Sequence, residues 1–314
     1  MKLVAAFLKL VRWPNLVFII LTQILFEYCV LQPIFIKAGV ANAIHGIYFI
    51  LVCGSYILIA ASGYIINDYF DLNIDLVNKP KKVIVSKSIS RRWALFWHIF
   101  LSAVAVFSCI YVDRHTTSKF VGITAFSCVI LLFFYSISLK KKNLWGNVVV
   151  SVLTASSIFS LTLFENSLVY HHVFGENGIH DNKIIRFTIL YTSFAFIISL
   201  IREVIKDMED VDGDSKYGCR TMPIVWGINS SKVFVAVWLV VLLAIIIILQ
   251  LYVLQFGWWI SVLYSLATII FPLFVIFRKL FKAQSSKDFH QLSSLVKLVM
   301  FTGILSMIFF KIYS

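Results

Sequence analysis

Six aspartates have the types and spacing best suited to chemistry. Asp68, Asp71 and Asp75 recur at i, i+3 and i+7, and Asp207, Asp210 and Asp214 repeat the same pattern 139 residues later. On a helix that spacing stacks three carboxylates on one face. Of the 15 Asp and Glu in the chain, nine lie in these two segments: Asp68, Asp71 and Asp75, then Glu203, Asp207, Glu209, Asp210, Asp212 and Asp214. Two like charges 4 Å apart repel by about 4 kcal/mol at an effective dielectric of 20, so facing stripes of this kind need cations between them. Oxygen donors without His or Cys favour Mg²⁺, which keeps several waters and commonly shares carboxylates with the phosphate oxygens of a substrate. The plainer alternative is a solvated acidic loop that ends a helix. It would have to arise twice with matched helical spacing.

The elements that position these acids are membrane spans. Of 314 residues, 60% are hydrophobic and only 14% charged, and the mean hydropathy is +0.91. Those values exclude a soluble enzyme, a secreted disulfide scaffold and a nucleic-acid-binding domain. The expected class is an all-α integral membrane protein with one domain over residues 1–314. Nine apolar runs approach or exceed the length needed to cross a bilayer: Leu16 to Phe35, Ile44 to Ile66, Trp93 to Val112, Phe120 to Leu139, Leu144 to Phe164, Ile184 to Ile205, Val233 to Phe256, Gly257 to Phe277 and Leu295 to Phe310. The ninth is the shortest, and the tightest connection falls at Gln255-Phe256-Gly257. The first run exceeds a signal-peptide core and carries Gln23 and Glu27, so it is expected to stay in the mature protein. Cys29, Cys53, Cys109, Cys128 and Cys219 form no CxxC pair and read as small hydrophobes.

Charge orients the spans. Of the 28 Lys and Arg, 21 fall on the N-terminal segment and the even-numbered connections. Lys37, Arg114, Lys119, Lys183, Arg186 and Lys311 fall on the other side, and Lys297 opens the last span. The positive-inside rule makes the N-terminus and both acidic segments cytoplasmic and the C-terminus external, in a multi-pass protein of the cell membrane. The net charge of +13 is then largely an insertion signal rather than a sign of a nucleic-acid partner.

The stretch Asn67-Asp68-Tyr69-Phe70-Asp71-Leu72-Asn73-Ile74-Asp75 resembles the NDxxDxxxD motif of the UbiA superfamily of intramembrane prenyltransferases, and Arg202 to Asp214 resembles that family's second Asp-rich motif. Arg12-Trp13-Pro14-Asn15, Tyr135 to Lys140 with Gly146-Asn147, and Gly218 to Pro223 resemble further family segments. Nine spans is also the family's number. The resemblance implies a single bundle with a cytoplasm-facing cavity, where Mg²⁺ bridges the Asp motifs and an isoprenoid diphosphate donor whose tail runs into the apolar interior. The implied reaction is ionisation of the allylic C–O bond and capture of the cation by a hydrophobic or amphipathic acceptor.

On that resemblance Asp68, Asp71, Asp75, Asp210 and Asp214 are the expected catalytic Mg²⁺ ligands, with Asp207 a further ligand or support. Asn67 is expected to hold a ligand or a diphosphate oxygen, Lys140, Arg202 and Lys206 to hold donor oxygens, and Asn15 to line the cavity or bond a neighbouring helix. Tyr64, Phe133, Phe134, Tyr135 and Tyr191 are aromatics able to shield a carbocation or simply to pack. His171, His172 and His180 read as an external loop. Glu27 has no partner identified by the sequence. Arg202 to Asp214 looks most like the geranylgeranylglycerol-phosphate geranylgeranyltransferase branch. An aromatic prenyltransferase of quinone synthesis is the alternative, and a cation or metabolite transporter the remote one. After Asp75 the chain reads Asn78-Lys79-Pro80-Lys81-Lys82, where many relatives carry Arg-Pro pairs, so phosphate contact there would lose the guanidinium fork.

Overall fold

The computed structural model describes residues 2–38, 42, 44–78, 80, 83–118, 120–165 and 183–313. The expectations for Lys79, Lys81, Lys82, Lys119, His171, His172 and His180 lie outside the described residues. Among the described residues, eight helices are long and apolar enough to cross a membrane: Trp13–Lys37, Ile47–Phe70, Arg91–His115, Trp145–Phe164, Lys183–Glu209, Ile228–Leu254, Trp259–Lys282 and Ser286–Tyr313. The apolar helix Val121–Ile137 is a shorter ninth. The nine expected runs therefore each correspond to a helix. Hydropathy misjudged which is shortest: Ser286–Tyr313 spans 28 residues because its polar first turns continue the helix, whereas Val121–Ile137 has 17.

The chain divides into two compact units, and the division falls inside two of the helices. The first comprises Met1–Leu139 and Ser156–Leu190, the second Lys140–Ala155 and Tyr191–Ser314. In the first, the short helix Lys2–Leu10 meets the span Trp13–Lys37 at Arg12, which adopts a left-handed conformation (φ 52°, ψ 51°). Leu10, Val11, Leu16, Ala61, Ile65 and Ala94 form the buried cluster that fixes this corner. Pro14 stands in the first turn of the span, where its missing N–H costs nothing. Gly63 allows close packing, since a Cβ there would lie 2.9 Å from a Leu132 methyl. Asp113 accepts from the backbone N–H groups of Val121 and Gly122 at 3.0 and 2.7 Å and so caps the short ninth helix from its neighbour.

The second unit packs Ile201, Val204, Ile205, Met208, Leu239, Leu273 and Val296 into one apolar cluster. Gly257 (φ 76°) makes the expected tight turn between Ile228–Leu254 and Trp259–Lys282. Ser285 and Asp288 form a reciprocal cap that starts Ser286–Tyr313. One feature departs from the all-helical expectation: Lys142–Asn143 pairs in parallel with Arg220–Thr221, tying the segment after Val121–Ile137 to the one after the second acidic motif. A two-residue pairing leaves no alternating pattern for sequence to show. All five cysteines are buried free thiols.

Candidate active site

The first acidic motif sits where a span ends. Ile47–Phe70 stops at Asp71, whose backbone (φ −89°, ψ 2°) leaves the helical region, and Leu72–Asn78 begins immediately afterwards. The helix therefore does not run straight through the motif, as the spacing had suggested. Its hydrogen bonding nevertheless persists, because Asp71 N–H donates to Asn67 O at 2.9 Å and Asp75 N–H to Asp71 O at 2.8 Å. Asp68, Asp71 and Asp75 are all half-buried.

Two contacts organise these acids. Arg12 Nη2 donates to Asp68 Oδ1 at 2.6 Å, with its guanidinium 5.0 Å from the centre of the Tyr64 ring. Burial opposes the charge on Arg12, but Asp68 and Tyr64 outweigh it and raise the group above the ordinary arginine value. Asn67 Nδ2 donates to Asp71 Oδ2 at 2.9 Å across one helical turn, so Asn67 orients a carboxylate. Sequence reasoning singled out Arg12 only as part of a motif. Its partner was not visible, because 56 residues separate it from Asp68.

The second motif repeats the arrangement. Lys183–Glu209 ends at Asp210 (φ −102°, ψ 8°) and Val211–Lys216 follows. Asp210 N–H donates to Lys206 O at 3.0 Å and Asp214 N–H to Asp210 O at 3.1 Å. Asp207, Asp210 and Asp214 are half-buried, whereas Asp212, off the i, i+3, i+7 face, is exposed. Asp207 Oδ2 accepts from Asn147 Nδ2 at 2.8 Å, and Asn147 is buried. Glu203, given no role by sequence reasoning, accepts from Arg202 Nη1 at 2.9 Å and from Lys206 Nζ at 3.2 Å. It holds both expected donor-binding cations in one network.

The remaining expectations divide. Asn15 Nδ2 donates to the Tyr64 hydroxyl at 3.3 Å, which makes it a link between two helices. Tyr64 does present its face to a cation, but that cation is Arg12. Phe133 packs between Phe70 and His98, Phe134 is exposed, and the Tyr191 hydroxyl lies 3.5 Å from Ser306 Oγ. Lys140 lies half-buried in a single turn, Leu139–Lys141. Glu27 is buried in a widened π-helical segment, Phe26–Leu31, and accepts from Asn42 Nδ2 at 2.6 Å, the partner the sequence did not reveal.

The donor set suits a hard cation. Among the described residues no three His, Cys, Asp or Glu side chains converge as a closed metal cage. Mg²⁺ does not require one, since it is usually held by one or two carboxylates together with water and substrate phosphate oxygens. The first motif offers such carboxylates with Arg12 and Asn67 bonded to them, and the second does so beside Arg202 and Lys206.

A helical membrane protein whose spans end in two matched aspartate motifs is defined by this architecture. The sequence profile of the UbiA prenyltransferase family matches residues 29–305, and the chain belongs to that family. It is 37% identical over 175 residues to a digeranylgeranylglyceryl phosphate synthase of Methanothermobacter thermautotrophicus, an alignment covering 56% of this chain and 54% of that protein. A synthase of the same name from Methanosphaera stadtmanae is 29% identical over 260 residues, covering 82% of this chain and 86% of the relative. Among solved structures, one described as digeranylgeranylglyceryl phosphate synthase in membranes superposes with a TM-score of 0.59 at 22% identity, over 98% of this chain and 99% of the other. A UbiA homologue from Archaeoglobus fulgidus, described as bound to GPP and Mg²⁺, superposes with a TM-score of 0.56 at 14% identity, over 96% and 99%. At these identities the structures establish the shared fold.

Proposed function

We propose that this protein transfers a geranylgeranyl group from its diphosphate to geranylgeranylglyceryl phosphate in a Mg²⁺-dependent reaction. The observation that carries the reading is the pair of half-buried aspartate motifs, each on a helix broken at its middle aspartate, in a chain similar to curated synthases of that lipid. The whole of residues 1–314 acts as one prenyltransferase domain.

Bound Mg²⁺ would neutralise charge as the diphosphate departs from the allylic carbon. The chain's own residues do the positioning. Asp68, Asp71, Asp75, Asp210 and Asp214 present ligand oxygens, with Asp207 held by Asn147 as a further oxygen donor. Arg12 and Asn67 fix Asp68 and Asp71 in place. Arg202 and Lys206, gathered by Glu203, bind donor oxygens, and Lys140 contributes another cation. Asn15 acts indirectly, by holding Tyr64 beside Arg12.

The partners in this reading are an isoprenoid diphosphate, an amphipathic lipid acceptor and the bilayer itself. The protein sits in the cell membrane with its N-terminus cytoplasmic and its C-terminus outside, as the charge bias of the connections supports. The test is transfer from labelled geranylgeranyl diphosphate by purified protein in lipid with Mg²⁺, offering geranylgeranylglyceryl phosphate and aromatic quinone precursors side by side. A labelled ether lipid, absent with Asp68→Ala, is expected. A labelled aromatic product would overturn the acceptor assignment, and uptake of a solute without Mg²⁺ or diphosphate would overturn the enzyme reading.

A further inference from the structure

An open groove of about 850 Å³ lies at the amino end of the 27-residue helix Ile228–Leu254, lined in part by Ser215, Trp226, Gly227, Asn229, Lys232 and Gln284. Through Val211 and Ser215 it borders the short helix that follows Asp210, but none of its lining residues has a role in the reaction proposed above. Three independent features give it the character of an anion site.

The first is the helix terminus. Gly227 (φ 86°) supplies no side-chain cap, and Ser231 N–H is bonded to Gly227 O at 3.1 Å. The N–H groups of Ile228, Asn229 and Ser230 precede the first repeat of the ladder and have no acceptor within the helix. Such a terminus carries partial positive charge and favours anions.

The second is Lys232. It is 7% exposed, lines the groove, and lies one turn along the helix from Ile228 and Asn229. Its ammonium stands 5.9 Å from the Phe289 ring and makes no ion pair with a described acid. Charge-counting from sequence treats Lys232 as one more insertion signal, yet the fold packs it beside Phe289 at the wall of the groove, where a bound anion would meet its charge.

The third is that no carboxylate is among the described residues lining the groove, although Val211 and Ser215 belong to the helix that carries Asp212 and Asp214. Asp288, next in sequence to Phe289, is committed to its own helix start, accepting from Gln284 N, Ser285 N and Ser285 Oγ at 3.1, 3.0 and 2.8 Å. Asn229 and Gln284 add amide groups, and Ser215 a hydroxyl that also donates to Asp212 O. Val225 and Trp226, 43% and 48% exposed, flank the same helix end, an amphipathic placement suited to the membrane–water boundary.

We propose that this groove binds the phosphate of an anionic lipid headgroup, held by the first-turn N–H groups of Ile228–Leu254 and by Lys232. The proposal rests on the groove, which borders the helix of the second motif, and not on the metal-ligand assignment of its aspartates.

The test is native mass spectrometry of the full-length protein released from mixed micelles of short-chain phosphatidylglycerol and phosphatidylcholine, with unfolding temperature followed in parallel. The wild type is expected to retain phosphatidylglycerol preferentially. Lys232→Met, which keeps the buried stem and removes the charge, should weaken retention about tenfold, and Lys232→Arg should largely preserve it. Should Lys232→Met fail to fold, the double variant Ser215→Ala/Asn229→Ala provides the reading, with retention expected to fall roughly threefold. Equal retention of the two lipids, or unchanged retention in the variant that folds, overturns the proposal. Displacement of the lipid by inorganic phosphate at equal concentration overturns the lipid as the source of the phosphate.

Discussion

Asp71 and Asp210 adopt nearly the same backbone conformation, φ −89°, ψ 2° and φ −102°, ψ 8°, each at the point where a long span stops and a short helix starts. Each donates its N–H to the carbonyl four residues earlier and accepts from the N–H four residues later. The break therefore leaves the backbone N–H and C=O of the aspartate itself bonded. It does place carboxylates at the negative end of a helix, where they are electrostatically disfavoured unless a cation joins them.

From this geometry, Asp68→Ala and Asp210→Ala should each abolish Mg²⁺-dependent transfer while leaving the unfolding temperature close to that of the wild type. Chelation of Mg²⁺ should reproduce the loss, and added Mg²⁺ should reverse it. Turnover at the wild-type rate in either variant would remove the ligand assignment.

Arg12 combines a left-handed backbone with the 2.6 Å contact to Asp68. Glycine relieves backbone strain of roughly 1 kcal/mol at such a position. The ion pair is partly exposed and contributes no more than about 1 kcal/mol to stability. Arg12→Gly should therefore change stability little and reduce transfer at least tenfold. Parallel thermal unfolding and transfer assays check both halves, and a variant that unfolds early with normal specific activity would reverse the interpretation.

Arg202 and Lys206 share Glu203. If they bind the donor's diphosphate in the ground state, Arg202→Ala and Lys206→Ala should raise KM for the diphosphate several-fold more than they lower kcat. A pure kcat effect would point instead to contacts made only as the leaving group departs.

Asn147 is buried and donates to Asp207 at 2.8 Å. Asn147→Ala leaves that carboxylate short of a partner and should destabilise the protein by about 1–3 kcal/mol. Denaturant or thermal unfolding in detergent reads this directly, and an unchanged midpoint would show that water replaces the amide.

Gly303 is a packing position remote from chemistry. A Cβ there would collide with Cε1 and Cζ of Phe194, so Gly303→Ala must push the ring aside. A loss of roughly 1–3 kcal/mol is expected, and adding Phe194→Leu should recover part of it. Failure of the second change to compensate would exclude this steric cause.

The sequence by itself determined the membrane class, the nine apolar helices and the two acidic motifs, because hydropathy over about twenty residues and a spacing of three or four are local quantities. It also singled out Asn67, Arg202 and Lys206 through a family resemblance. Only the tertiary structure decided that Arg12 pairs with Asp68, that Asn147 supports Asp207, that Asn15 bonds Tyr64 and that Glu27 meets Asn42, contacts spanning 56, 60, 49 and 15 residues. The burial of Lys232 belongs with these, since a lysine in a polar connection looks solvated until Phe289 is packed against it. Such pairings depend on which helix faces lie together, and no periodicity along a single helix encodes the identity of its neighbour.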